Sequence, residues 1–357
     1  MKTGIDITAM AEELIRQREA KADYMADTRV LEMERSGSGV VLHLLDQSRN
    51  DAIEPLIPNA IAHRQIGARL SIPAAYYDRM LENNPELLAR NVNTWFNQEP
   101  ETRMVRTLDG TARAFLSDRY RRIDNAEIFE AVYPLLAQIP DAQFESCQIT
   151  DSKMYIKVVN PRLQANVAAG DTVQAGVMLS NSEVGHGSVL VQPLIFRLVC
   201  LNGMVVNDAA TRKYHVGRTN EADENYMLFS DETRIADDRA FMLKIQDTVK
   251  AATDEVRFHK VVNLMREAAG AQVSSNDVPG VVRLASKDYG LTEAEGDGVL
   301  DHFIKSGNLS LYGLANAVTR HSQDVESYDR ATRLEEIGYS VMTMGRARWN
   351  QLNNAAA

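Results

Sequence analysis

The chain has 357 residues, 45% of them hydrophobic and 25% charged, and 49 Asp and Glu against 39 Lys and Arg give a formal net charge of −10. This is the composition of a globular protein with a sizeable core, which excludes a collagenous, linker-like or disordered chain. No apolar run approaches the roughly 18 residues of a membrane span. An acidic chain also has no general attraction for phosphate or anionic lipid, so a nucleic-acid role would need a local basic patch.

Cys147 and Cys200 are too few for a disulfide framework or a four-cysteine zinc site and read as buried thiols. The first 21 residues lack a continuous apolar segment and a small-residue cleavage site, which points to a cytoplasmic address.

In chain order, residues 6–34 read as a helix, with Ile7, Met10, Ala11, Leu14 and Ile15 at helical spacing behind Asp6 as a cap. Val40–Leu45 reads as a strand. Residues 73–97 read as helix with a break near Asn83-Asn84-Pro85. From Arg103 to about Val206 the signals are β: Arg103–Leu108, Thr111–Leu116, Met154–Val159, Thr172–Leu179, Ser188–Val191 and Ile195–Leu201. One helix, about Asn125–Ile139 with Asp124 as its cap, interrupts them. Asn202-Gly203 reads as the tight turn of a second hairpin. Arg234–Ala269 reads as one long helix with Ile235, Met242, Ile245, Val249, Ala252, Val256 and His259 on its seam, His259 as an interior histidine. Thr292–Glu295 is a capping box that opens a helix ending near Ser306-Gly307. The expected fold is α+β: an antiparallel, hairpin-rich sheet with packed helices in a body of residues 1–217, then a helical region of residues 218–357.

The functional reading starts at Arg103–Leu116, two alternating runs about Asp109-Gly110. With those two residues as the turn, Arg106 is expected opposite Arg113. Like charges across a strand pair cost roughly 0.2–1 kcal/mol, so an anion or nearby carboxylates must compensate, and a phosphate would serve. Residues 103–122 hold six arginines and two aspartates. Arg106, Arg113, Arg119, Arg121 and Arg122 are candidate phosphate contacts, and Phe115 and Tyr120 are candidate base-stacking rings. Arg197, a charge inside an apolar run, is expected to pair with a carboxylate or, second, to contact phosphate. Arg212, Lys213, His215 and Arg218 form a smaller basic group beyond it.

Other constellations are weaker. Glu183 and His186, in a polar glycine-bearing connection, are a candidate acid/base pair. The histidines match no metal-ligand spacing, and the phosphate loop and nucleophile-elbow motifs are absent, so neither a metal site nor a cofactor is expected.

The stretch Arg113–Asn125, with Asn181-Ser182-Glu183 before Gly185 and Phe196–Met204, resembles a phage- and plasmid-encoded family catalogued as a domain of unknown function. The resemblance covers roughly residues 55–300. It implies DNA metabolism of mobile elements in a bacterial cytoplasm, and the layout is broadly similar to that of single-strand annealing proteins, which assemble as rings or filaments. The leading expectation is a non-enzymatic single-stranded DNA-binding protein, with an annealing factor as one form of it, that forms a homo-oligomer and needs no membrane. The alternatives are a structural or regulatory protein that self-assembles through its charged hairpin, and an enzyme using Glu183 and His186.

Overall fold

The computed structural model describes residues 1–46, 51–52, 54–120, 122–187, 189–207, 215–216, 231–252 and 254–355. The chain starts with α1 (Ile7–Ala20), where the Asp6 carboxylate accepts from the Thr8 and Ala9 amides. The helix expected over 6–34 ends at Ala20. Beyond it come the strands β1 (Lys21–Asp27), β2 (Leu31–Ser36), β3 (Gly39–Asp46), β4 (Asp51–Ala52) and β5 (Ile57–Pro58). β1 has no apolar alternation of its own; pairing with a distant strand holds it extended. Helices α2 (Ala60–Arg69), α3 (Ala74–Asn83) and α4 (Pro85–Gln98) follow. The expected break at Asn84 is present: its side chain caps α4 at Leu87 N, and Pro85 takes a first-turn position.

The arginine hairpin is β6 (Thr102–Leu108) and β7 (Thr111–Ser117). Its four-stranded sheet has the order β1-β6-β7-β5, with β5 parallel to β7, and β2-β3-β4 form a second small sheet. After α5 (Asn125–Leu136) come β8 (Gln143–Ile149), β9 (Met154–Ala168), β10 (Asp171–Asn181), β11 (Val189–Arg197), β12 (Asn202–Val205) and β13 (His215–Val216). These build a six-stranded antiparallel sheet of order β12-β11-β10-β9-β8, with β13 also on β11. The two strands expected over 188–191 and 195–201 are one, β11, apart from Ser188, which lies outside the described residues. The turn expected at Asn202-Gly203 falls instead at 198–201, because Asn202 and Gly203 pair with Arg197 and Phe196 inside the ladder. The Asn202 amide is buried there and donates to Thr319 and Asn316.

The remaining helices are α6 (Asp231–Ala252), α7 (Glu255–Gly270), α8 (Val278–Asp288), α9 (Glu293–Ser306), α10 (Leu311–His321), α11 (Tyr328–Met342) and α12 (Arg346–Ala355). The single helix expected over 234–269 is two. Asp254 caps α7 at Arg257 N and starts it afresh, so the seam does not run through: Val256 is 72% exposed, and His259 is exposed beside Glu255 rather than interior. The capping box of α9 and its left-handed end at Gly307 form as expected.

Both faces of the large sheet are covered. Ile156, Val158, Val177, Leu179, Val189 and Val191 meet α1, α5 and α6 through Met10, Leu14, Ile128, Val132, Ile245 and Val249. On the other face Tyr155, Val159, Met178, Leu194 and Phe196 pack with Tyr328 of α11. A further core joins Val173, Ala175, Ile195 and Met204 of the sheet to Phe258, Val262, Phe303, Leu314 and Leu334 of the C-terminal helices. The fold is α+β, and its largest core draws on residues from both sides of position 217. The arginine hairpin packs one face, through Val105, Ala112 and Phe115, on α2, α3 and α4.

Candidate functional site

The hairpin turn has the two positive φ values of its type, 50° at Asp109 and 74° at Gly110. Leu108 faces Thr111 and Thr107 faces Ala112, but Arg106 pairs with Ala114 and Val105 with Phe115. Arg113 is therefore the extra residue of a bulge and not the cross-strand partner of Arg106. The slip follows from burial: Ala112 and Phe115 both enter the core under α2–α4, while Ala114 and Leu116 turn to the opposite face with Met104 and Val184. Both guanidinium groups end on that opposite face, where the connection after β10 lies across the hairpin.

There they meet carboxylates. Arg106, fully buried, pairs with Asp23 of β1 through Nε at 2.7 Å and Nη2 at 3.1 Å, with Asp124 through Nη2 at 2.6 Å, and donates from Nη1 to the Glu183 carbonyl at 2.8 Å. Lys21 lies 2.7 Å from Asp124 and 3.3 Å from Glu183. Glu183 also accepts from the Asn125 amide at 2.6 Å and from Arg113. Arg122 reaches Asp23 at 2.9 Å from an otherwise exposed position. Four cations thus enclose three carboxylates in a clasp that ties the hairpin sheet to the large sheet and to the start of α5. Burial opposes the Arg106 charge, but Asp23 and Asp124 outweigh it and raise its affinity for the proton. Burial likewise works against the Asp124 carboxylate, and Arg106 and Lys21 still hold it below the usual range. Asp124 sits at the N-cap of α5 as expected, yet its side chain makes no cap bond, because the clasp takes both oxygens.

The sequence candidates separate into groups. Arg106 and Arg113 are committed inside the clasp. Phe115 is buried and stacked on Phe96 with ring centroids 5.7 Å apart, so no base can lie on it. Tyr120 is half-buried, its ring packed near Gly185 and its hydroxyl 3.4 Å from the Ser182 carbonyl. Arg119 is exposed, and no carboxylate pairs with its guanidinium among the described residues. Arg121 lies outside the described residues. Arg197 is remote in role: it makes a two-pronged pair with Asp171 and stands over the Tyr312 ring. Of the later basic group, Arg212, Lys213 and Arg218 lie outside the described residues.

Glu183 and His186 do not form the acid/base pair that their spacing suggested. Both Glu183 oxygens are taken, whereas His186 sits on the exposed tip of the loop. That loop is pinned down at its base. Ser182 Oγ accepts from the amides of Val184 and His186, and Gln65 bridges the Val184 carbonyl to the Phe115 amide. Gly185 has φ 79°, and a Cβ there would lie 2.8 Å from Leu116. Gly187 runs past Lys153, whose ammonium has no carboxylate partner among the described residues. At the edge of the clasp lie the exposed Gly185-His186-Gly187 loop, Lys153 beside Gly187, Arg122 on Asp23, and Arg119, exposed one residue before Tyr120; we call this set the rim.

Sequence reading missed Lys21 and Asp23, because it placed both in a helix. It also missed His302, His321 and Asp324, which the packing of α9 on α10 brings together. The signal that existed for these was the three-residue spacing of His321 and Asp324.

No curated protein and no solved structure matches the chain. Residues 114–336, more than half of the chain and including the end of β7, α5, the large sheet and the clasp residues Asp124 and Glu183, match the family described as Domain of unknown function (DUF932), and the chain belongs to that family.

Proposed function

We propose that the protein binds single-stranded DNA without acting on it chemically, and that the contact is the rim of the clasp rather than its buried arginines. The observation that carries this reading is two cations with no carboxylate partner among the described residues: Arg119, next in the chain to Tyr120, whose ring packs near Gly185, and Lys153, which lies beside Gly187. Arg122 adds a third charge whose outer nitrogens are open to solvent, since the side chain is 60% exposed. Among the described residues most other arginines already face a carboxylate. Cations that do not are the ones a phosphate can take without first breaking an internal pair.

The resemblance to phage- and plasmid-encoded proteins supports DNA recombination or annealing as the setting. One rim holds few charges, so useful affinity requires several copies of the chain to engage one strand together. Titration of a fluorescent oligodeoxynucleotide at several salt concentrations tests the reading. Affinity should fall steeply with salt, because phosphate contacts release counterions, and Arg119→Glu with Lys153→Glu should abolish binding while the protein stays folded. Wild-type protein that ignores the oligonucleotide, or a double variant that binds it as well as wild type, would overturn the proposal.

A further inference from the structure

From the packing of α9 against the end of α10, we infer that His302, His321 and Asp324 form a binding site for a divalent transition-metal ion of the zinc type. One ligand atom from each residue lies within 4.8 Å of the other two. His302 Nε2 is 2.5 Å from Asp324 Oδ2, and His321 Nδ1 is 3.4 Å from the same oxygen.

The internal bonding of the cluster is incomplete without an ion. Asp324 and His302 satisfy each other, but His321 Nδ1 is buried from solvent and has no hydrogen-bond partner, although a carboxylate oxygen lies 3.4 Å away. A buried nitrogen left unmatched costs about 1–3 kcal/mol, and a second imidazole beside an already paired carboxylate has no purpose in a simple His–Asp pair. A metal ion resolves both features. Bonds of roughly 2.0–2.2 Å to nitrogen and oxygen place tetrahedral ligand atoms about 3.3 Å apart. The His321–Asp324 separation already has that value, and the His302–Asp324 pair reaches it by a small rotation of the exposed carboxylate.

The supports of the site are rigid. Gly298, one turn before His302 on α9, leaves the space that the His321 ring occupies; a Cβ there would stand 2.4 Å from the ring. Phe303, next to His302, is fully buried, as is nearly all of α10. Arg320 Nη1 lies 3.2 Å from Asp324 Oδ1, the oxygen that the imidazoles do not use, and so orients the carboxylate from behind. Gln323 ties the turn between the two ligands to the Cys200 and Leu201 carbonyls. Two imidazoles and one carboxylate suit zinc, cobalt or ferrous iron better than calcium or magnesium. Three protein ligands leave a fourth position for water.

The test is a calorimetric titration of zinc chloride into the chelator-treated full chain, with cobalt chloride added separately to follow visible absorption. One equivalent of zinc and an intense cobalt band of a four-coordinate site are expected. His302→Ala and Asp324→Asn should each weaken zinc binding by at least about tenfold. Gly298→Ala, which replaces no ligand but displaces the His321 ring, should weaken it too. Wild-type protein that binds neither metal, or a His302→Ala/Asp324→Asn double variant that binds zinc as tightly as wild type, would overturn the assignment.

Discussion

Lys157 of β9 and Glu335 of α11 lie 2.7 Å apart, and neither side chain is exposed at all. Thr332 takes a second donor of the ammonium at 3.0 Å, and the Tyr328 ring lies beneath it at 4.7 Å. The pair is one of the links, beside the apolar core, that tie the large sheet to the C-terminal helices. Removing one partner strands a charge in the core, so Glu335→Leu or Lys157→Met alone should cost about 3–5 kcal/mol in urea unfolding. The double substitution should recover most of that loss, because a buried ion pair is replaceable by apolar groups of similar volume. Additive losses in the double variant would show that the two residues act separately.

The clasp makes a parallel prediction. Arg106→Met leaves Asp23 and Asp124 without their buried partner and should destabilise the fold by about 3–5 kcal/mol. Arg122→Ala removes only an exposed arm of the same network and should cost at most about 1 kcal/mol. Equal losses in denaturant midpoint would contradict the division of the arginines into buried and rim groups.

Acid should weaken the protein in two stages. Burial, helped by the neighbouring Arg64, pushes the His63 imidazole from 6.5 down to about 4, with its Nδ1 against the Tyr77 hydroxyl at 2.9 Å. The unfolded chain takes up that proton first, so this part of the stability is complete above pH 6.5 and is lost as the pH falls towards 4. Arg330, against burial, holds the Glu295 carboxyl down from 4.5 to about 2, and the Thr292 cap assists it. That contribution is complete above pH 4.5 and is lost as the pH falls towards 2. Urea midpoints measured from pH 7 to pH 2 should show both limbs. His63→Gln should flatten the upper limb and Arg330→Met the lower.

Gly185 lies in the chain between Glu183 of the clasp and His186 of the rim. Alanine there meets both a positive φ and the Leu116 side chain, so Gly185→Ala should destabilise the fold by roughly 1–3 kcal/mol. By lifting the loop from the hairpin it should also reduce oligonucleotide binding. Unfolding curves and the fluorescence titration check the two effects separately.

Much of the fold is legible wherever local chemistry is decisive. Asn84-Pro85 splits two helices, Asp109-Gly110 turns the hairpin, and Thr292 with Glu295 starts α9, each through bonds made within four residues. The errors fall where a distant partner decides. β1 is a strand because Thr102–Leu108 pairs with it, and Asn202-Gly203 is ladder rather than turn because Phe196 and Arg197 claim it. The crowding of arginines was visible, but which of them would find carboxylates was not. Asp23 and Glu183 lie 83 and 70 residues from the arginines they satisfy.

The amino-acid sequence alone determined the α+β class, the Asp109-Gly110 turn, the Asp6 and Thr292 caps, and the presence of a cationic hairpin in an acidic chain. All of these follow from side-chain type and short-range periodicity. Only the tertiary structure decided that the hairpin slips at Arg113, that its inner arginines are neutralised within the chain, and that two histidines nineteen residues apart face one aspartate. Charge compensation is a matter of distance through space, and the sheet and helix packing that sets those distances is a collective outcome of the whole core.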